Sequence, residues 1–366
     1  MRYNWQKDDW TNFRYEESAF EADLLSFVER AGRTAGLLEG ATEDLGAEAI
    51  LDLMISEAMK SSAIEGEFLS QQDVKSSIRN HLGLNQPSES VKDQRASGIG
   101  ELMVSVRETY QDDLTATQLF EWHRMLMKGS DVEAGLWRTG EDAMQVVSGR
   151  IDRPTVHFEA PPSSQVSQEM EVFTTWFNSS RTHGKSSLSY APIRSGLAHL
   201  YFESIHPFED GNGRMGRALS EKALSQGLGR PVLLSLSQTI EADRKSYYQA
   251  LEDAQRGNEV TDWLCYFVRT VLEAQKEAEA RIQLAVRKKN YFVRHQASLN
   301  ERQLKVVRRL FDAEPDGFEG GLSAKKYMAI SGTSKATATR DLQLLHETGA
   351  LRLTGAGRST RYWLPE

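Results

Sequence analysis

The strongest constraint on the fold of this chain is a glycine-rich loop between two apolar helical stretches. Before the loop, apolar residues recur at helical spacing, at Ile193, Leu197, Leu200 and Tyr201. From Arg217 onward a helical pattern resumes. We therefore expect two buried helices joined by residues 206–217, with the glycines of this segment at the start of the second helix.

The residue types of this loop suit a bound polyphosphate. The segment reads His-Pro-Phe-Glu-Asp-Gly-Asn-Gly-Arg-Met-Gly-Arg. The first turn of a helix presents unpaired N–H groups and the positive end of the helix dipole, so it attracts phosphate. Gly211 and Gly213 are expected to adopt positive φ and to turn their amides inward as an anion nest. Arg214 and Arg217 add bidentate donors.

Two side chains of the loop predict chemistry. Asp210 supplies a hard oxygen ligand, and Mg²⁺ is commonly bound by one carboxylate together with substrate phosphates. His206 carries an imidazole, the side chain best suited to remove a proton from a hydroxyl near neutral pH. The alternative interpretation is a basic helix cap on an ordinary core loop.

The segment resembles the Fic-family motif His-x-Phe-x-(Asp/Glu)-Gly-Asn-Gly-Arg-x-x-Arg, and every specified position matches. The resemblance implies a protein adenylyltransferase that moves AMP from ATP to a Ser, Thr or Tyr hydroxyl of a target protein or of itself. It implies His206 as the base, Asp210 as the Mg²⁺ ligand and Asn212 as the group that orients the α-phosphate. The implied ATP-phosphate site comprises Gly211, Asn212, Gly213, Arg214, Met215, Gly216 and Arg217. Family members with phosphotransferase activity alter this glycine and arginine pattern, which is intact here.

A second segment resembles the autoinhibitory pattern of this family, (Ser/Thr)-x-x-x-Glu-(Gly/Asn). Ser61, Glu65 and Gly66 match it at the end of an apolar helical stretch over residues 47–63. Ser61 and Glu65 are four residues apart and share a helix face. The resemblance implies that Glu65 occupies Arg217 and repels the γ-phosphate. The alternative is a helix C-cap in which Gly66 ends the helix and Glu65 is solvated.

Residues 145–160 predict a β-hairpin, because β-branched and aromatic residues flank a turn-forming stretch around Ile151 and Asp152. The resemblance implies that this hairpin is a flap that aligns the target segment by strand addition. The flap residues are Thr155, Val156, His157 and Phe158. The alternative is a surface hairpin without function.

The resemblance also implies an adenine pocket about thirty residues past the loop. Tyr247 and Tyr248 point about 100° apart on a helix, so at most one of them faces the base; Tyr247 is preferred slightly. Gln255 is the candidate for a contact to adenine or ribose. At the other end of the chain, residues 3–5 (Tyr-Asn-Trp) resemble the N-terminal extension of one Fic subgroup, and aromatic packing is the expected role.

The C-terminal segment predicts a winged helix. Three helical stretches, 300–311, 323–330 and 334–348, precede two short strand-like runs around residues 355–357. Residues 295–366 carry a net charge of +3, from 11 Lys/Arg and 8 Asp/Glu, against −11 for the rest. The candidate DNA contacts are Lys335, Thr337 and Arg340 on the third helix and Arg358 and Arg361 on the wing. A dimer or protein-docking role remains the alternative.

The expected fold class is mainly α, a Fic-type helical bundle with a β-hairpin flap and a C-terminal winged helix-turn-helix domain. The expected domains are an N-terminal extension with the inhibitory motif (1–95), the catalytic domain (96–294) and the winged-helix domain (295–366). The chain lacks an 18-residue apolar run, lacks an apolar signal-peptide core at its N-terminus, and has one cysteine, so a cytoplasmic location without membrane contact is expected.

Three functional alternatives remain open at this point. Glu65 could position a water, in which case the enzyme removes AMP from modified proteins. The Fic body could instead serve only as a nucleotide sensor for a winged-helix transcription regulator, although a sensor needs no base at His206. The third alternative is a monomer–dimer equilibrium that moves Glu65.

Overall fold

The structure, a computed structural model, describes residues 2–39, 43–150, 153–181, 184, 187–314 and 317–365. Its helices in chain order are α1 (Glu21–Glu39), α2 (Glu43–Ile64), α3 (Gln71–His81), α4 (Gln94–Glu108), α5 (Ala116–Leu126), α6 (Ser163–Ser179), α7 (Ala191–Ile205), α8 (Asn212–Leu228), α9 (Leu236–Ala242), α10 (Arg244–Ala254), α11 (Thr261–His295), α12 (Glu301–Phe311), α13 (Ala324–Ser331) and α14 (Lys335–Glu347). The strands are β1 (Gln145–Arg150), β2 (Arg153–Glu159), β3 (Arg352–Thr354) and β4 (Arg361–Trp363). The predicted mainly helical class is confirmed.

The chain divides into two compact units. The first contains Ile50–Ala278 together with the chain up to Thr34, and the second contains residues 35–49 and the chain from Glu279 onward. The predicted domain boundaries at residues 95 and 295 stay predictions. None of the described helices combines the length and the apolar character that a membrane crossing requires.

Helix α7 is the central element of the first unit. Every residue from Pro192 to Ile205 is buried, which is typical of a helix surrounded by the core. Pro192 lies in the first turn, where its missing N–H interrupts no helical hydrogen bond. One apolar cluster receives Tyr201, Phe202 and Ile205 from α7 and packs against α4, α5 and α6. A second cluster receives Ile193, Leu197 and Leu200 and packs against α9, α10 and α11.

Helix α8 follows α7 after the short loop that the sequence predicts, and it packs against α7. Gly211 precedes the first residue of α8 with φ 81°, and Gly229 follows the last with φ 66°. Both values lie in the left-handed region, which glycine adopts without steric cost. The loop is therefore held between two buried helices at the end of the central one.

Strands β1 and β2 form an antiparallel hairpin with a register shift between Val146 and Val147. The hairpin lies where the sequence predicts the flap, although Ile151 and Asp152 in its turn lie outside the described residues.

The second unit has its own core, formed by α12, α13, α14 and the β3–β4 hairpin. Asn300 and Ser334 cap α12 and α14 with their side chains. Val306, Leu310, Tyr327, Leu342 and Leu345 are among the residues buried between these elements. The helices and strands occupy the predicted segments, and the winged-helix assignment stays a prediction.

Candidate active site

His206 ends α7 with an unusual backbone conformation. Its φ and ψ are 51° and 60°, and it is the one non-glycine residue with positive φ among the described residues. Such a conformation costs free energy and persists only where the surroundings enforce it. The His206 N–H donates to the Phe202 carbonyl at 2.9 Å, and its carbonyl accepts from Arg138 Nε at 2.8 Å. The imidazole is thus projected from a backbone clamped on both sides.

Arg138 is a structural residue of the site that the sequence analysis missed. Its side chain is 2% exposed and donates to Ser163 Oγ at 2.9 Å and to the Pro161 carbonyl at 2.5 Å, besides His206. A guanidinium can satisfy several carbonyls at once because its donors form a planar fork. Arg138 therefore ties the backbone of the predicted base to the chain that leaves the hairpin.

His123 of α5 contacts the loop through its ring, and the sequence analysis did not identify this role. Its ring stacks on Phe208, with centroids 3.9 Å apart and planes at 14°. The Gly135 N–H donates to Nδ1 at 3.0 Å, so Nδ1 accepts and Nε2–H donates to the Asp210 carbonyl at 3.1 Å. Burial lowers the pKa of His123, which agrees with the neutral ring that these two bonds require.

Asn212 closes the loop on itself. Its Nδ2 donates to the Phe208 carbonyl at 2.8 Å, and its Oδ1 accepts from the Phe208 N–H at 2.9 Å. The residue is 3% exposed. Each polar atom of its amide makes one hydrogen bond to the loop backbone, and its role in orienting the α-phosphate stays a prediction.

The glycines of the loop have different roles. Gly211 has the predicted positive φ of 81°. Gly213 lies inside α8, so the prediction that it also turns its amide through positive φ is wrong. A Cβ at Gly213 would lie 2.2 Å from Glu65 Oε1. A side chain at this position would therefore displace the Glu65 carboxylate, which lies over the first turn of α8.

Two further members of the predicted phosphate site face the core. Met215 is fully buried among apolar residues. A Cβ at Gly216 would lie 2.5 Å from Glu203 Oε1, so this glycine faces α7. Packing explains their side-chain positions, and their contact with phosphate stays a prediction.

Arg217 is paired with the predicted inhibitory segment. Its Nε donates to Ser61 Oγ at 2.9 Å, and its Nη2 donates to the Ser61 carbonyl and to Glu65 Oε1 at 2.9 and 2.8 Å. The Arg217 side chain is 1% exposed and that of Glu65 is 29% exposed. Gly66 has φ 83° two residues after the end of α2, as a helix cap would, but Glu65 beside it bonds to Arg217 where the cap interpretation expects it to be solvated.

Arg214 has its own carboxylate partner, which the sequence analysis did not identify. Arg214 Nη1 donates to Glu67 Oε2 at 2.7 Å, with the arginine side chain 4% exposed. Asp210 Oδ2 lies 3.9 Å from Arg214 Nη2. The segment after α2 therefore places one carboxylate on each arginine of the loop.

The buried guanidiniums nevertheless retain donors that fit a phosphate. Among the described residues, Arg214 Nε and Arg217 Nη1 have no hydrogen-bond partner although both atoms are buried. Buried donors without partners cost free energy. A phosphate oxygen at the first turn of α8 would satisfy them, and the helix dipole favours the same charge.

Asp210 fits the one-carboxylate mode of Mg²⁺ binding. Its side chain is 57% exposed, and its Oδ1 accepts from the Gly211 N–H at 2.6 Å. No group of three or more His, Cys, Asp or Glu residues in the described part of the chain could hold a metal ion alone. Mg²⁺ bound through a single carboxylate takes its other ligands from water and substrate phosphates.

The three residues predicted for the adenine pocket differ in exposure. Tyr247 is 1% exposed and its hydroxyl bonds to His199 Nε2 at 2.7 Å, so it belongs to the core. Gln255 is 5% exposed and donates to the Glu203 carbonyl at 3.2 Å. Tyr248 is 42% exposed, and its hydroxyl donates to the Ile64 carbonyl at 3.4 Å. Tyr248 is the accessible ring beside the inhibitory segment.

The predicted flap is attached to α10 through its second strand. His157 Nδ1 lies 2.8 Å from Glu252 Oε2, and the His157 carbonyl accepts from Arg256 Nη2 at 3.1 Å. Phe158 is buried, whereas Thr155 and Val156 are exposed. Thr155 and Val156 are therefore the most accessible of the four residues predicted for the flap.

The N-terminal Tyr-Asn-Trp segment holds the base of the same strand. Trp5 Nε1 donates to the Glu159 carbonyl at 2.7 Å, and the ring of Tyr3 packs edge-on against Phe158 at 5.0 Å. Asn4 Nδ2 donates to Ser204 Oγ of α7 at 2.8 Å. The expected aromatic packing is present, and hydrogen bonds join it to the helix that carries His206.

In the second unit, Lys335 and Arg340 are exposed on α14, whereas Thr337 is half-buried and bonds to Ser334. Arg361 donates to the Gly320 and Thr360 carbonyls at 2.9 and 2.7 Å. The side chain of Arg358 lies outside the described residues. DNA contact by these residues stays a prediction.

The fold and the loop together define a class of helical proteins in which a glycine-rich loop joins a histidine at the end of one helix to arginines in the first turns of the next. The Fic/DOC family model matches residues 113–224, so the part of the chain that carries the loop is a Fic/DOC domain. Residues 3–84 match a second model, described as a domain of unknown function (DUF4172).

Two curated relatives are similar to part of this chain. The protein adenylyltransferase fic-1 of Caenorhabditis elegans is 29% identical over 228 residues, which cover 60% of this chain and 39% of that protein. The protein adenylyltransferase Fic of Drosophila melanogaster is 30% identical over 147 residues, which cover 40% and 26%. The matched region thus spans well under two thirds of these curated relatives.

Solved structures support the fold alone. A Fic family protein from Desulfovibrio desulfuricans is 21% identical with a TM-score of 0.51, over 94% of this chain and 96% of that chain. A Fic domain containing signaling protein from Bacteroides thetaiotaomicron is 16% identical with a TM-score of 0.51, over 71% and 98%. The predicted Fic-type helical fold is confirmed.

Proposed function

We propose that this chain is a protein adenylyltransferase that transfers AMP from ATP to a hydroxyl of a target protein or of itself. One observation carries the proposal: an imidazole on a clamped backbone adjoins a helix start that holds two buried guanidiniums. The names of the relatives support the same activity.

The reaction divides among the residues as follows. His206 accepts the proton of a Ser, Thr or Tyr hydroxyl, and the oxygen attacks the α-phosphorus of ATP as the bond to pyrophosphate breaks. Arg214 and Arg217 offset the charge that develops on the leaving pyrophosphate. The first turn of α8, after Gly211, adds the positive end of the helix dipole.

Asp210 would hold Mg²⁺ together with phosphate oxygens. When bound, the cation neutralises charge on the phosphates and thereby assists departure of pyrophosphate. Tyr248 is the proposed contact for adenine, because a ring that is 42% exposed can stack on a base. The β1–β2 hairpin is the proposed flap for the target segment.

Glu65 restrains this reaction by occupying Arg217, the guanidinium that the γ-phosphate requires. Its carboxylate lies over Gly213, where it also repels phosphate from the first turn of α8. Glu67 restrains the reaction in the same way, because it occupies Arg214. Release therefore requires the segment after α2 to move or the phosphate to displace both carboxylates.

The test is transfer of label from α-labelled ATP in the presence of Mg²⁺. Glu65→Gly should raise transfer to the enzyme or to lysate proteins by about 10- to 100-fold, the worth of one charge-assisted hydrogen bond. The double variant Glu65→Gly/His206→Ala should lose it. Glu48→Gly, an exposed glutamate on the same helix, is the matched control and should behave as wild type. Absence of transfer by Glu65→Gly would refute the proposal.

Removal of AMP is the second candidate, and one observation favours it. Glu65 binds Arg217 through Oε1, and its side chain is 29% exposed, so the other oxygen can orient a water toward an AMP-modified residue. Incubating AMP-modified substrate with wild type and Glu65→Gly distinguishes the two directions, because removal requires Glu65 and transfer is inhibited by it. Self-modification, a homodimer and DNA binding by the second unit stay predictions.

A further inference from the structure

A buried carboxylate faces the predicted base from one turn earlier on α7. Glu203 Oε2 lies 3.6 Å from His206 Nδ1, and the two side chains are 6% and 17% exposed. This separation is longer than a hydrogen bond and within ion-pair range. Acid–base pairs of active sites commonly lengthen to this extent when no substrate is bound.

The helix opposite is shaped to admit this carboxylate. Gly216 lies inside α8, where glycine costs about 1 kcal/mol relative to alanine. A Cβ there would lie 2.5 Å from Glu203 Oε1 and 3.2 Å from the His199 ring. Gly216 thus leaves space for the Glu203 carboxylate between α7 and α8.

Packing alone does not account for Glu203. Its Oε1 has no hydrogen-bond partner among the described residues although the atom is buried, and a buried carboxylate is costly unless nearby charges compensate. Burial opposes ionisation, but the His206 and His199 imidazoles and the Arg217 guanidinium keep the pKa of Glu203 below its ordinary value. Two of these three compensating groups belong to the proposed site.

We propose that Glu203 is a positioning residue for His206. Its carboxylate accepts Nδ1–H, which leaves the lone pair of Nε2 directed at the target hydroxyl. When the hydroxyl proton passes to Nε2, the oxygen bonds to the α-phosphorus and pyrophosphate departs, and Glu203 stabilises the imidazolium that forms. This inference rests on the proposed function, since it assigns His206 the role of base.

Kinetics in the Glu65→Gly background provide the first test. Glu203→Gln keeps the side-chain size and removes the charge. It should lower kcat for AMP transfer by about 10- to 100-fold, a fraction of the effect of losing a general base, with KM for ATP within about twofold. Ser195→Ala is the matched control. It removes a buried hydrogen bond of 2.9 Å from α7 to the Ser220 carbonyl of α8, far from the imidazole, and should leave kcat unchanged.

The tautomer of His206 provides a readout that does not depend on activity. In ¹⁵N spectra of the labelled full chain, His206 should carry its proton on Nδ1 when Glu203 is present. Glu203→Leu removes the acceptor and should shift the ring toward a mixture with Nε2–H. Equal kcat for Glu203→Gln and its parent, or an unchanged tautomer in Glu203→Leu, would overturn the inference. If Glu65→Gly transfers no AMP at all, the proposed function fails, and the tautomer measurement still decides the role of Glu203.

Discussion

The clamp around His206 leads to the most quantitative prediction, which concerns Arg138. Replacing it with methionine keeps most of the apolar stem and removes every donor. Three acceptors at 2.5–2.9 Å lose their partner, namely the His206 and Pro161 carbonyls and Ser163 Oγ. Each buried acceptor left unpaired costs about 1–3 kcal/mol. We allow for partial relaxation of the loop and expect Arg138→Met to lower the free energy of unfolding by about 3–5 kcal/mol.

Urea titration of the full chain measures this change, because six of the seven tryptophans lie in the first unit and report its unfolding by fluorescence. Arg124→Met is the control. Arg124 is exposed and donates to one carbonyl, that of Gly135 at 3.2 Å, so its loss should cost under about 1 kcal/mol. In the Glu65→Gly background, Arg138→Met should also reduce AMP transfer at least about tenfold, since a displaced base loses its geometry. A stability loss below about 1 kcal/mol with full transfer would refute the clamp.

Three further outcomes are expected. Glu67→Gln should raise AMP transfer because it weakens the contact to Arg214; a fall in labelling would mean that Glu67 orients this arginine instead. Trp5→Phe removes the indole donor to the Glu159 carbonyl. It should raise KM for a protein target while KM for ATP stays constant. An equal rise in both KM values would exclude a role specific to the flap. Burial lowers the pKa of His123, so the neutral ring contributes stability above its unfolded pKa of about 6.5 and loses it as pH falls. Urea midpoints between pH 7 and 5 should therefore decline less in His123→Gln than in wild type, and parallel declines would contradict this.

The helical framework could be predicted from the sequence because it depends on periodicity. The helices on either side of the loop and the capped helices of the second unit lie close to the predicted segments. Each has an apolar stripe or a capping residue that acts locally. The Glu65–Arg217 contact could be predicted for a different reason, since both residues belong to motifs of one family.

The residues that hold the site could not be predicted, because they act across long sequence separations. Arg138 and His123 bond to the loop from other elements, and neither belongs to a recognisable pattern. Gly213 shows a related failure. Its place in the motif predicts a backbone with positive φ. In the structure Gly213 is helical, and its missing side chain leaves space for the Glu65 carboxylate. Tyr247 and Tyr248 illustrate a second limit. Helix geometry separates the two rings by about 100° but does not tell which of them faces the core.

The most direct test of the account is whether Glu65 and ATP compete for Arg217. Affinities should be measured by calorimetry in the His206→Ala background, with and without Glu65→Gly, for ATP and for AMP in the presence of Mg²⁺. Loss of Glu65 should tighten ATP binding by about tenfold or more, the worth of a charge-assisted hydrogen bond, and should leave AMP binding unchanged. Equal changes for ATP and AMP, or no change for ATP, would contradict the claim that Glu65 holds the guanidinium that the γ-phosphate requires.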